Sequence, residues 1–230
     1  MTIAEPFRKA PLPVITQGDF QDFSTGVTYQ QYFLMAAIEE NGAAVDNLIL
    51  SDVPIYSNHI VLSGTSTGGT TDTMIRDDDF DTPIKITRVI TGNVIVNIPL
   101  GARNTVGSGV HNQYIVIRLK SVTPAAVETE LGTAESRHRG QATGETEFEH
   151  KLMQFNVTDK KIIAGDTLRL TVETWSSHTG GSTVQPHSYG LDPKNRNASK
   201  DIDYTSAAYT HFADGNASES FMLLPIKTFP

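Results

Sequence analysis

Along most of this chain apolar and polar residues change places at every second position. In "TLRLTVETW" Leu168, Leu170 and Val172 fall on one side and Arg169, Thr171 and Glu173 on the other, the period of a half-buried strand. The preceding "AGD" predicts a turn. "PIKITRVITGNVIVNIPL" holds two β-branched runs about Gly92-Asn93, and glycine can take the positive φ that a tight II′ hairpin needs, so a hairpin is expected there. Further strands are predicted at Leu48 to Leu50, Asn58 to Ser63, Gln113 to Val122, Glu145 to Val157 and Ser218 to Thr228.

No helical period separates any two of these runs, so βαβ alternation is excluded and antiparallel pairing is expected. "YFLMAAIEENGAAVDNLILS", Tyr32 to Ser51, is ambiguous: its first half suits a helix capped at Asn41-Gly42, yet Asn-Gly between apolar runs is also a hairpin signal. The strand-like "NLILS" that follows favours the hairpin, with the helix left open. The expected fold is all-β: an antiparallel two-sheet sandwich over residues 18–230, preceded by an extended arm over 1–17. Pro6, Pro11 and Pro13 keep the arm out of a central strand and, with Phe7, make it a candidate contact segment. Ser63 to Thr73 and Ser176 to Ser218 read as long polar loops.

Composition narrows the function. With 18 Lys and Arg against 26 Asp and Glu, the net charge is -8, which argues against a nucleic-acid partner because a phosphate backbone must be met with cations. A basic partner fits better. The 230 residues contain no cysteine, so disulfides, thiolate metal sites and thiol nucleophiles are all excluded. No run is long and apolar enough for a membrane helix, and no secretory h-region is present, so synthesis in the cytoplasm is expected.

Candidate chemistry is thin. "RDDDFD" gathers Asp77, Asp78, Asp79 and Asp81 but lacks the glycine turn and distal glutamate of a calcium loop, and a solvated loop is the expected reading. The seven histidines show no metal-binding spacing, and no serine sits in a nucleophile motif. Glu145, Glu147 and Glu149 are expected on the charged side of a strand, with Thr146, Phe148 and His150 inward. No catalytic residue, metal, cofactor or small-molecule ligand is therefore expected. The sole tryptophan, Trp175, falls on the polar parity of its strand as an exposed anchor, and Tyr189, Tyr204 and Tyr209 are expected on loops.

The proline-bearing arm, "GDFQDFSTGVTYQQYF", "NLILSDVPIYS", "IIAGDTLRLTVETW", "SYGLDPKNR" and the closing "SESFMLLPIKTFP" together resemble the jelly-roll cement or decoration proteins of tailed bacteriophage capsids. Where that family often ends its last strand in "PFK", this chain has Pro225-Ile226-Lys227. The resemblance implies a jelly-roll, non-enzymatic virion protein on the outer capsid surface, a homotrimer whose partner is the major capsid protein. The alternative is a carbohydrate-binding module or the receptor-binding head of a virion fibre, with the aromatic side chains stacking on sugars.

Overall fold

A computed structural model describes residues 26–38, 46–54, 61–66, 69–103, 109–136, 139–141, 146–179, 185–191 and 219–227. Among them the chain forms twelve strands: β1 (Val27–Ile38), β2 (Asp46–Ser51), β3 (Val61–Ser66), β4 (Thr73–Pro83), β5 (Arg88–Arg103), β6 (Val110–Val122), β7 (Glu128–Glu135), β8 (Arg139–Gln141), β9 (Thr146–Ile162), β10 (Thr167–Thr179), β11 (Gln185–Gly190) and β12 (Phe221–Lys227). They join one large sheet in the order β3-β11-β5-β12-β1-β2-β4-β10-β6-β7, with β9 on β5 and β8 on β6. Pairing is antiparallel except between β2 and β4, which meet in parallel at Ile49 and Asp81. The all-β expectation holds, and the purely antiparallel one gives way to a mixed sheet.

One side of the strands builds the core. Leu168, Leu170 and Val172 of β10 are fully buried, together with Ile115, Ile117 and Leu119 of β6, Phe80 of β4, Met222 and Leu224 of β12, and Val94, Val96 and Ile98 of β5. Strands far apart in the sheet order share this core, as a β-sandwich requires. A polar link makes the same point: Tyr189 of β11 donates its hydroxyl hydrogen to Asp78 of β4 at 2.7 Å, although four strands lie between them in the sheet. Arg76 completes the group with a bidentate pair onto Asp78 at 2.6 and 2.7 Å. Buried charge is tolerated here because each carboxylate oxygen is met by a donor.

Several sequence expectations change. The Gly92-Asn93 hairpin does not exist: β5 runs straight through, and the positive φ of 119° at Gly92 serves a register shift against β9 and β12 instead. A strand glycine that marks a bulge leaves the same signature as a turn glycine. Pro225 lies 3.2 Å from where a Gly92 Cβ would stand, so the glycine also allows close approach. Residues 32–38 and 46–51 are strand and not helix, since β1 and β2 pair in antiparallel from Ile38–Asp46 to Phe33–Ser51. Asn41-Gly42 lies outside the described residues, as do the arm with Pro6, Phe7, Pro11 and Pro13, and Tyr204 and Tyr209.

"RDDDFD" is strand β4 and not a loop. Its neighbour "SGTSTGG" begins within β3, and β11 lies inside the long segment read as loop. On β9 the inward set is Lys151, Met153 and Val157, so His150 faces outward, against the expected parity. Lys151 is held by an ion pair with Glu149.

β7 lies over β9 through a tight contact, where a Cβ at Gly132 would stand 2.4 Å from the Phe155 ring. Gly132→Ala is expected to lower stability by about 1–3 kcal/mol through overpacking, read as a shifted urea midpoint. Adding Phe155→Leu should recover part of the loss, whereas purely additive effects in the double variant would disprove the contact.

Candidate functional site

The outward side of β4, β10, β6 and β7 carries the most organised chemistry among the described residues. The registers Arg169–Asp81, Thr171–Asp79 and Glu173–Asp77 place β10 beside the three outward aspartates of β4. On the other edge, Arg169, Thr171, Glu173 and Trp175 stand opposite Lys120, Arg118, Val116 and Tyr114 of β6. Alternation makes this side polar, and pairing brings residues distant in sequence into rows.

The charges are tied to one another. Arg169 grips Asp81 with two parallel bonds of 2.8 Å, meets Asp79 at 2.9 Å and reaches Glu128 at 2.8 Å. Hydrogen bonding to Asp81 holds its guanidinium pKa above the ordinary value, outweighing the cost of partial burial. Lys120 bonds Glu128 at 2.9 Å, and Thr171 donates to Asp79 at 2.5 Å. Arg118 donates to Glu173 at 2.6 Å and to Glu130 at 3.2 Å.

At one end of these rows Trp175 and Tyr114 stack with ring centroids 6.1 Å apart and planes 11° off parallel. They line an open depression of about 430 Å³ with Val116, Arg118, Glu135 and Glu173. The Trp175 indole N–H donates to Glu173 at 2.9 Å, which fixes the ring and leaves its π surface as its means of contact. The register shift beside Trp175 in the β4 pairing does not turn it inward. Burial alone would raise the Glu173 carboxyl; hydrogen bonds from Arg118 and Trp175 overcome it and hold the group below the usual carboxylate range. Burial pushes the Tyr114 hydroxyl up, and the nearby carboxylates Asp72, Glu135 and Glu173 add to the rise.

Of the residues singled out from sequence, Trp175 belongs to this site and Tyr189 does not. Tyr189 is fully buried in β11, where burial and the Asp78 carboxylate push its hydroxyl well above the ordinary value. It cannot stack on a ligand. Tyr114, Glu173 and Arg118 escaped notice because each looks like an ordinary strand residue until pairing sets it beside Trp175. On the inward side β6 and β10 turn polar toward one end, where His111, Gln113, Ser176 and His178 are all buried. The two imidazoles meet edge to face at 6.3 Å, and Gln113 lies 3.3 Å from His111. No group of three or more His, Asp or Glu side chains suited to a metal occurs among the described residues.

Because Glu173 is acidified by folding, its ionised form stabilises the native state above its unfolded value of 4.5, and that contribution is lost as pH falls through the lower native value. Emission from the single tryptophan is therefore expected to hold steady from neutrality to the mid-4 region and to change below it. Glu173→Gln should remove that acid step. An identical step in the variant would assign it to other carboxylates.

No family model matches the chain, and no curated protein matches it. Solved structures do share its fold. An α-amino acid ester hydrolase superposes with a TM-score of 0.54 at 10% identity over 86% of this chain and 36% of the hydrolase. An aminopeptidase from a marine sediment archaeon, Thaumarchaeota archaeon, gives 0.50 at 8% identity over 88% of this chain and 37% of its own. The VP2 protein of infectious bursal disease virus is a more distant likeness, with a TM-score of 0.34 at 11% identity over 86% and 41%. The chain thus spans little more than a third of the enzymes it superposes on, and at these identities the likeness is one of all-β, sandwich-like fold.

Proposed function

We propose that this protein is a non-enzymatic component of a virus particle, a cement protein whose strands stack as a two-sheet jelly roll and which grips the outer surface of a capsid shell. The observation that supports this reading is the state of charge on the outward side of β4, β10, β6 and β7. Arg169, Arg118 and Lys120 are each committed to carboxylates of neighbouring strands. The carboxylates run along the rows toward these cations instead of converging on one reacting atom, so the arrangement suits gripping better than proton transfer. A pre-organised acidic surface loses little side-chain entropy on docking and favours a basic partner.

Under this reading the arm, with Pro6, Phe7, Pro11 and Pro13, reaches over a neighbouring subunit, and the protein acts as a homotrimer made in the host cytoplasm. Symmetric multivalency then adds weak contacts into firm attachment. A second reading, a carbohydrate-binding module or receptor-binding head, is favoured by the Trp175–Tyr114 pair in the lining of an open depression.

Light scattering of the purified protein is expected to give a trimer, and co-sedimentation with empty capsids should fall as salt is raised. A strict monomer that leaves capsids in the supernatant and instead binds a glycan array would replace the first reading with the second.

A further inference from the structure

We infer that the Trp175–Tyr114 depression is a receptor for a cationic side chain, an arginine or lysine offered by a basic segment of a protein partner. The inference rests on the docking reading above only for the partner's identity.

Two features of the depression point to a cation. Its lining includes the partly exposed Trp175 ring, packed parallel to the largely buried Tyr114 ring, and Trp175 is fixed by its bond to Glu173, so little ordering is needed on binding. A cation over an indole face is attracted by the ring quadrupole. Its rim is acidic. Glu135 and Glu173 line it, and their charge with that of Asp72 is felt at the Tyr114 hydroxyl. Asp77, opposite Glu173 in the β4 register, is raised by partial burial and then by its acidic neighbours Asp79 and Glu173, so the negative field extends across the row.

Among the described residues of the lining Arg118 is the one cation, and it is already bound to Glu173 and Glu130. It holds Glu173 in place and offsets one of the two carboxylates on the lining, Glu135 and Glu173, which leaves one negative charge in excess. A neutral sugar would also find aromatic surface here and could donate hydroxyl hydrogens to the carboxylates, but it carries no charge to be drawn by their surplus. A guanidinium gains from both, and its flat shape suits a stacked ring.

The test uses the full chain and the emission of its single tryptophan. A short Gly-Arg repeat peptide is titrated against the same peptide with citrulline in place of arginine, which keeps the shape and removes the charge, and against a panel of neutral oligosaccharides. The arginine peptide is expected to give a saturable change at least about tenfold tighter than citrulline, weakened as salt rises from about 50 to about 500 mM. Glu135→Gln should weaken it several-fold with the fold intact, and Trp175→Phe should retain part of the binding when a labelled peptide is the readout. Equal response to citrulline, salt-independent response to an oligosaccharide, or no response at millimolar peptide would each overturn the inference. Capsid co-sedimentation is scored separately, so a failed peptide titration with intact capsid binding leaves the docking reading standing and removes only the cation site.

Discussion

The structure depends on one constraint: each strand must bury a row of apolar side chains, and these rows can only be buried against one another. Leu168, Leu170 and Val172 on β10 and Ile115, Ile117 and Leu119 on β6 are inaccessible within one buried cluster that also holds residues of β5, β12 and β1. Sheet hydrogen bonds alone would satisfy the backbone without fixing which strands face each other. The apolar surface supplies that choice, since it is large, non-directional and favourable only when water is excluded. Within it, Tyr189, Asp78 and Arg76 form a directional polar link, whose donors and acceptors must all be matched for it to be tolerated.

The opposite side of the same strands follows from that constraint. Once the even positions of β10 are committed inward, the odd positions must stand in a row outward, and cross-strand pairing then decides their neighbours. Arg169 meets Asp81 and Asp79, and Arg118 meets Glu173, because register places them side by side. Ion pairs of this kind on a partly exposed surface add little stability each. Their effect is to hold side chains in fixed positions, and the depression at Trp175 inherits that order through Glu173.

Sequence reasoning succeeded where a signal was purely local. The alternation of β10, the turn at Ala164-Gly165 before it and the strand nature of residues 46–51 all needed only side-chain period and turn chemistry. It failed where two structures share one local signature. Gly92-Asn93 has the chemistry of a hairpin, but β9 on one edge and β12 on the other hold the chain extended, and the glycine becomes a bulge. "RDDDFD" looks too charged for a strand. It is one because Asp78 finds Arg76 and Tyr189 inside while Asp79 and Asp81 find Arg169 outside.

By itself the sequence determined the all-β class, the inward residues of β10, the acidic balance and the polar-side placement of Trp175, because each depends on residue type and spacing along the chain. Tertiary structure alone decided that Tyr114, Glu173, Arg118 and Trp175 share one depression, that Tyr189 is interior, and that β2 meets β4 in parallel. Those outcomes depend on which strand lies beside which. Pairing partners are selected by the fit of whole buried surfaces, a property that no short window of residues contains.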